Sequence, residues 1–145
     1  MKDNYIISII GTQMIDGESD KVEVLTTGEY EEKDGEKIIR YVEYSAEDPS
    51  RKTDTEVIVK DSALLTITRK GELSSQLVLE KGRRHQCHYR TVVGDMMIGV
   101  FTSLISDSLS PLGGELNASY TLDFFGDAVS ENEFYIKLKP NAKEN

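Results

Sequence analysis

Tryptophan is absent from the 145-residue chain, and cysteine occurs once, at Cys87. A single cysteine excludes an internal disulfide and favours a reducing compartment. Positive charge is also scarce, because 17 Lys and Arg residues stand against 26 Asp and Glu residues and leave a formal net charge of −9. Nonspecific binding to nucleic acids or to anionic membranes needs many basic groups. We therefore expect neither a nucleic acid nor a membrane as a partner.

Long hydrophobic runs are lacking as well. The apolar stretch at residues 5–10 is interrupted by Ser8, whereas a signal peptide needs about 7–15 apolar residues and a membrane-spanning helix about 20. The sequence therefore predicts a cytoplasmic protein. The length is typical of one domain and no linker divides the chain, so residues 1–145 are expected to form a single domain with frayed ends at 1–4 and 140–145.

Apolar and polar residues alternate along most of the chain, and turn-forming residues interrupt them about every ten positions, which predicts an all-β barrel or sandwich. The predicted strands are residues 5–14, 21–32, 37–45, 53–60, 63–69, 73–80, 84–92, 96–104, 115–125 and 129–139. The connections are too short for the crossovers that parallel strands need, and closure removes the edges of the sheet. We expect an antiparallel up-and-down β-barrel of about 8–10 strands, with a short helical turn near residues 105–112.

An ordered set of short motifs runs through the chain. The motifs are LTTGEY at 25–30, KDG at 33–35, IRYVEY at 39–44, TRKGE at 68–72, LEKGRRH at 79–85, YRT at 89–91, Gly94, GGEL at 113–116, YTLD at 120–123 and NEF at 132–134. In this order and spacing, residues 5–139 resemble the YwiB-like family of small bacterial proteins, a domain of unknown function. The resemblance implies a lipocalin-like (calycin) antiparallel β-barrel. It implies no activity, so no catalytic residues can be transferred.

A barrel of about eight strands has room inside for side chains or for one small ligand, and ligand pockets are lined by apolar and aromatic groups with a few polar tips. The candidate lumen residues are Tyr41, Tyr44, His85, Cys87, Tyr89, Phe101 and Tyr120. The same residues also suit a core that is filled by its own side chains. Because a one-residue slip reverses every side chain, the sequence leaves open whether His85 and Cys87 point inward.

The segment at residues 83–90 contains the chemistry-bearing residues of the chain. His85, Cys87 and Tyr89 share one face of a strand and His88 lies on the other, so too few zinc ligands are available and we expect no metal and no cofactor. A nucleophilic Cys87 would need a base and oxyanion donors, for which the sequence offers no pattern. The basic charges of the segment could contact an anion, but at this net charge we expect them to pair with carboxylates.

Two functions of different classes follow from these observations. The first is a non-catalytic barrel that binds a small apolar or amphipathic ligand in its lumen, with residues 105–113 as a lid or plug. The alternative is an interaction or scaffold protein that acts through its outer surface, at the basic segment 83–90. Enzyme activity ranks last, because no nucleophile elbow, phosphate loop or metal triad is present in the sequence. The oligomeric state, monomer or homodimer, is left open.

Overall fold

The structure, a computed structural model, describes residues 4–44, 47–48, 50–71, 74–91, 94–124 and 127–141, and the side chains at 89–91, 94 and 127–129 lie outside the described part. Its strands are β1 (Tyr5–Ile15), β2 (Glu18–Lys33), β3 (Glu36–Tyr44), β4 (Lys52–Lys60), β5 (Leu64–Gly71), β6 (Ser75–Glu80), β7 (Arg84–Thr91), β8 (Gly94–Asp107), β9 (Gly114–Phe124) and β10 (Asp127–Pro140). All ten predicted strands are confirmed, with every boundary within three residues of the predicted one.

Each strand pairs antiparallel with the strands before and after it, and β1 pairs with β10 to close the barrel. Tight turns make this order possible. Asp34 and Gly35 both adopt positive φ angles, of 52° and 81°, as a two-residue turn that matches the twist of a hairpin requires. Near the chain ends, the Asn141 amide donates to the Asn4 carbonyl at 2.9 Å. Of the ends predicted to fray, residues 1–4 and 140–145, positions 1–3 and 142–145 lie outside the described residues.

The helical turn predicted near residues 105–112 is wrong. Residues 105–107 continue β8, and the chain then reverses in a tight turn in which Ser110 and Gly113 exchange backbone hydrogen bonds of 2.9 Å. Gly114 follows with a φ of 133°, and a Cβ there would lie 2.2 Å from the Ser108 carbonyl oxygen. The side chains of Ser108 and Ser110 form hydrogen bonds with the backbone of this turn, and Leu109 lies in the core with 3% of its surface exposed.

Every second residue of each strand points into the barrel, and these side chains fill the interior at one end. We call this the lower end; the turns at residues 34–35 and 110–113 lie there. Fully buried branched side chains pack together above it, from Ile7, Ile39, Val57, Val59, Leu65, Ile67, Leu79, Val100, Leu116 and Ile136. Leu109 joins the same cluster. The lower half of the barrel is therefore a packed core, and Leu109 plugs its lower end.

A charged network fixes this plug. The Asp107 carboxylate accepts hydrogen bonds from Lys37 Nζ at 2.6 Å, from the Ser62 hydroxyl and from the Leu109 amide at 3.1 Å. Burial alone would raise the pKa of Asp107, but these three donors outweigh it and hold the pKa below its usual range. The ionised carboxylate therefore ties the plug to β3.

Strand β2 changes its partner half-way along its length. Its residues 18–28 pair with β1, whereas residues 28–33 pair with β3. The change occurs at Gly28, where a Cβ would lie 2.2 Å from the Arg40 carbonyl oxygen and 2.8 Å from Ile7 Cδ1. Only glycine permits this close approach. Beyond it, β2 residues 25–27 separate from β3 residues 42–44, and we call this opening in the upper half of the wall the seam.

Candidate functional site

A pocket of about 560 Å³ lies at the seam. It is lined from the inner face by Thr26, Gly28, Tyr41 and Thr55, and from the outer face by Thr27, Glu29, Arg40, Val42, Tyr44, Asp54, Glu56, Thr68 and Lys70. The volume is in the range of small-molecule sites. Since both faces contribute, the seam pocket connects the outer surface with residues whose side chains point into the barrel.

The outer part of the seam pocket is organised by Arg40. Its Nε donates to Glu56 Oε2 at 2.8 Å and its Nη1 donates to Glu31. The hydrogen bond and the positive charge of Arg40 lower the pKa of Glu31, and the two carboxylates raise the pKa of Arg40. Both acceptors therefore fix the guanidinium on the outer wall, on the same face of β3 as Tyr44, which is 65% exposed.

The inner part of the seam pocket contains two buried hydroxyl groups. Tyr41 lies directly opposite Thr55, and Thr55 opposite Arg69, in the ladder of β3, β4 and β5. Tyr41 is 4% exposed and Thr55 is 2% exposed, and neither hydroxyl has a hydrogen-bond partner of good geometry among the described residues. Burial raises the pKa of Tyr41, and the nearby Glu43 raises it further, while Arg69 and the neighbouring Thr55 hydroxyl partly oppose them. Tyr41 is therefore a neutral hydroxyl that can donate and accept.

Of the predicted lumen residues, Tyr41, Cys87 and Tyr120 point inward, the first two buried and the third half-buried. They lie on β3, β7 and β9, and none pairs with another. Tyr89 pairs with Met96 in the backbone ladder, and its side chain lies outside the described part. His85 is also in the inward register, opposite Val100. Of these five residues, Tyr41 lines the seam pocket.

Tyr44 and Phe101 do not line the lumen, contrary to the prediction. Tyr44 is three residues from the inward-pointing Tyr41 on the same strand, so it must point outward, and it lines the seam pocket from outside. Phe101 lies opposite Arg84 in the ladder, on the outer face, and is 41% exposed. In β3 the interior is formed by Ile39 and Tyr41, because these residues share a face with the buried positions of β4.

The predicted pairing of the basic segment with carboxylates is observed for the described side chains. Arg84 forms a two-pronged ion pair with Asp123 at 2.9 and 2.6 Å, across Gly99, where a Cβ would clash with the guanidinium. This pairing raises the pKa of Arg84. His85 lies 2.8 Å from Glu80, and His88 lies 3.4 Å from a carboxylate oxygen of Asp95.

The Cys87 thiol has a structural contact. Its Sγ accepts a hydrogen bond of 3.3 Å from the backbone amide of Val78, in the region where β6 and β7 share a single described ladder pair. Cys87 is 3% exposed, and burial raises the pKa of its thiol. Reactive cysteines are exposed and have lowered pKa values. The Cys87 thiol is buried and its pKa is raised, so it lacks both properties.

Sequence reasoning missed three residues of the inner seam. Gly28 could have been found, since a glycine inside a strand signals a close approach of two backbones. Thr55 could have been noticed as a polar residue in the alternating row that Val57 and Val59 continue. Thr26 carries no such signal, because it belongs to the pocket only through the change of partner in β2.

Two further observations concern the described residues alone. They contain no group of three or more His, Cys, Asp or Glu side chains that could hold a metal ion. None of their segments forms a helix long and apolar enough to cross a membrane.

Comparison with known proteins identifies the chain by family and fold. The profile of a family described as "Domain of unknown function (DUF1934)" matches residues 7–136. One solved structure, the crystal structure of the ywiB protein from Bacillus subtilis, superimposes with a TM-score of 0.82 at 19% sequence identity, covering 95% of this chain and 92% of the other. At that identity the match shows the fold. No curated protein matches the chain. The resemblance drawn from the motifs is confirmed, while the lipocalin-like description and the cytoplasmic location stay predictions.

Proposed function

Because the chain belongs to the DUF1934 family, a domain of unknown function, no activity can be transferred from a relative, and we propose one from the geometry: the protein binds a small amphipathic molecule at the seam pocket. The ligand enters between β2 and β3 and directs its polar head group to the inner face. The proposal keeps the ligand-binding barrel expected from the sequence but moves the site from the barrel axis to the wall.

The pair of buried hydroxyls at Tyr41 and Thr55 carries this proposal. A buried hydroxyl without a partner costs about 1–3 kcal/mol, and native proteins contain few such groups. Here two of them are neighbours across one ladder step and both line the same pocket. A ligand head group that accepts or donates hydrogen bonds would satisfy both hydroxyls at once.

The remaining lining supports an amphipathic ligand. Val42 and the exposed ring of Tyr44 offer apolar contact on the outer side of the pocket. The charge of Arg40 is already engaged by two carboxylates, while Glu29, Asp54 and Lys70 form a charged rim around these apolar groups. An apolar tail along Val42 and Tyr44 with a head group at Tyr41 fits this division.

The two competing functions have less support. An interaction surface at residues 83–90 would need available positive charge, but Arg83 and Arg84 are each paired with a carboxylate. A reaction at Cys87 would need an activated thiol, but burial raises its pKa. No specific observation favours either function over ligand binding.

A series of probes with one tail and different head groups tests the proposal. Octanol, octanamide, octanoate and octylamine are added separately to the purified protein, and the melting temperature is measured. At least one probe is expected to raise it, because a ligand that binds the native state stabilises that state. The rise should be lost in the double variant Tyr41→Phe/Thr55→Val.

The matched control is Thr102→Val, because Thr102 is equally buried but does not line the pocket. This variant should respond to the probes as the wild-type protein does. The proposal fails if no probe raises the melting temperature, or if the double variant responds as strongly as the control.

A further inference from the structure

One edge of the barrel wall is open. Residues 18–27 of β2 pair with β1 on one side, and on the other side no strand pairs with them among the residues that the structure describes. Unpaired strand edges present a row of backbone donors and acceptors and invite pairing with another strand. This inference concerns that edge and does not rest on the proposed ligand.

The direction of the backbone groups along the edge follows from the two adjacent turns. The two residues that flank a two-residue turn form a hydrogen-bonded pair, and such pairs recur at every second position. Ile15 and Glu18 flank the turn between β1 and β2, so the backbone groups of even-numbered residues of β2 form hydrogen bonds with β1. Lys33 and Glu36 flank the next two-residue turn, so odd-numbered residues bond toward β3. Both turns give the same answer. The backbone groups of Lys21, Glu23 and Leu25 therefore point away from β1, into the open side.

The side chains of this edge are exposed and of mixed character. Val22 is 63% exposed and Leu25 is 75% exposed. Lys21 and Glu23, on either side of Val22, have exposed side chains whose charged atoms are 3.9 Å apart. An edge that avoids pairing usually carries like charges or proline. On the outward face of this edge, Lys21 and Glu23 stand symmetrically about Val22, while the acidic residues Glu18 and Asp20 lie on the other face.

We propose that a second copy of this chain pairs with β2, antiparallel and centred on Val22. In this register the axis passes between the two Val22 residues, and each Lys21 lies directly opposite Glu23 of the other copy. The two pairs of opposite charges are hydrogen-bonded backbone pairs, as the parity of the edge requires. Directly opposed charges of opposite sign stabilise a sheet, and like charges destabilise it.

The neighbouring registers that keep this parity are worse. Centring on Glu23 or on Lys21 would place like charges face to face. Centring on Val24 would place Glu23 opposite Leu25 and leave both charges without a partner. Charge complementarity therefore selects a second copy in one register, in preference to an unrelated extended peptide, for which the edge offers no comparable match.

Charge reversal with rescue tests the register. Self-association is measured by sedimentation velocity at low ionic strength, where exposed charges are least screened, at concentrations up to about 1 mM. Lys21→Glu alone and Glu23→Lys alone should each weaken association about tenfold, because two opposed pairs become like-charged. The double variant Lys21→Glu/Glu23→Lys should return to the wild-type value.

Cysteine cross-linking provides a second measurement that does not depend on charge. Opposed residues at the centre would have Cα atoms about 4.5 Å apart, within the span of a disulfide, so Val22→Cys should cross-link when oxidised glutathione is added. Leu25→Cys is the matched control: in this register its copies lie about 20 Å apart, although Leu25 is the more exposed residue.

The two outcomes are distinct. The proposal predicts a reversible dimer, restored by the double charge swap, with Val22→Cys cross-linking at least about tenfold more than Leu25→Cys. A monomer at every concentration overturns it. So does equal loss of association in the double variant and the single variants, or cross-linking that follows exposure and favours Leu25→Cys.

Discussion

Replacing Thr102 by valine tests the reasoning about buried hydroxyl groups without any ligand. Thr102 is fully buried on β8, and its hydroxyl has no hydrogen-bond partner among the described residues. Valine keeps the branched shape and removes the polar atom. Because an unpaired buried hydroxyl costs about 1–3 kcal/mol, Thr102→Val should raise the free energy of unfolding by about that amount. For a chain of this size, each kcal/mol raises the melting temperature by about 2–4 °C.

Urea denaturation followed by far-ultraviolet circular dichroism measures this change, since the chain has no tryptophan to report by fluorescence. Thr27→Val serves as a control, because Thr27 is exposed and its substitution should change the free energy by less than about 0.5 kcal/mol. A loss of about 1 kcal/mol in Thr102→Val would refute the reasoning, because it would show that the hydroxyl is hydrogen-bonded in the folded protein.

Three further predictions follow from the fold. Asp107→Asn should lower the free energy of unfolding at neutral pH by about 2–3 kcal/mol, because it leaves Lys37 without its buried partner. Urea denaturation at several pH values should show this loss vanish as the pH falls through the lowered pKa of Asp107, since the carboxylate stabilises the fold only above that pKa. A loss that stays unchanged at low pH would contradict the assignment. Gly28→Ala should destabilise the fold by about 1–3 kcal/mol through the clash at the seam, whereas Gly11→Ala, where a Cβ meets nothing within 4 Å, should be tolerated in the same assay. Cys87 should react with Ellman's reagent slowly in the native protein and rapidly in urea, because burial covers the thiol and raises its pKa; rapid reaction in the native protein would contradict this.

The strands were predictable because alternation and turn residues are local signals. Each of the ten lies within three residues of its predicted position. The inward face of β3 was not predictable in the same way, since Ile38, Val42 and Tyr44 are as apolar as Ile39 and Tyr41. Pairing across the ladder decides between the two faces, and register is a property of the folded sheet. This is why Tyr44 was misplaced while the strand that contains it was found.

The seam pocket depends on long-range structure that no local pattern reveals. It exists because β2 leaves β3 at Gly28 and continues along β1. In the sequence this event appears only as one glycine in a strand. The role of Thr55 is likewise visible only in the folded sheet, where its hydroxyl forms a buried pair with Tyr41 on the opposite strand. Chemistry that depends on cross-strand neighbours therefore needs the structure.

Native mass spectrometry of the protein purified from its own host tests the central claim most directly. The wild-type protein and the double variant Tyr41→Phe/Thr55→Val are compared, each before and after denaturation. We predict that the wild-type protein carries a small molecule of constant mass that is lost on unfolding, and that the double variant carries much less of it. A bare wild-type protein, or an equal amount of the same adduct on both proteins, would contradict ligand binding at the seam pocket.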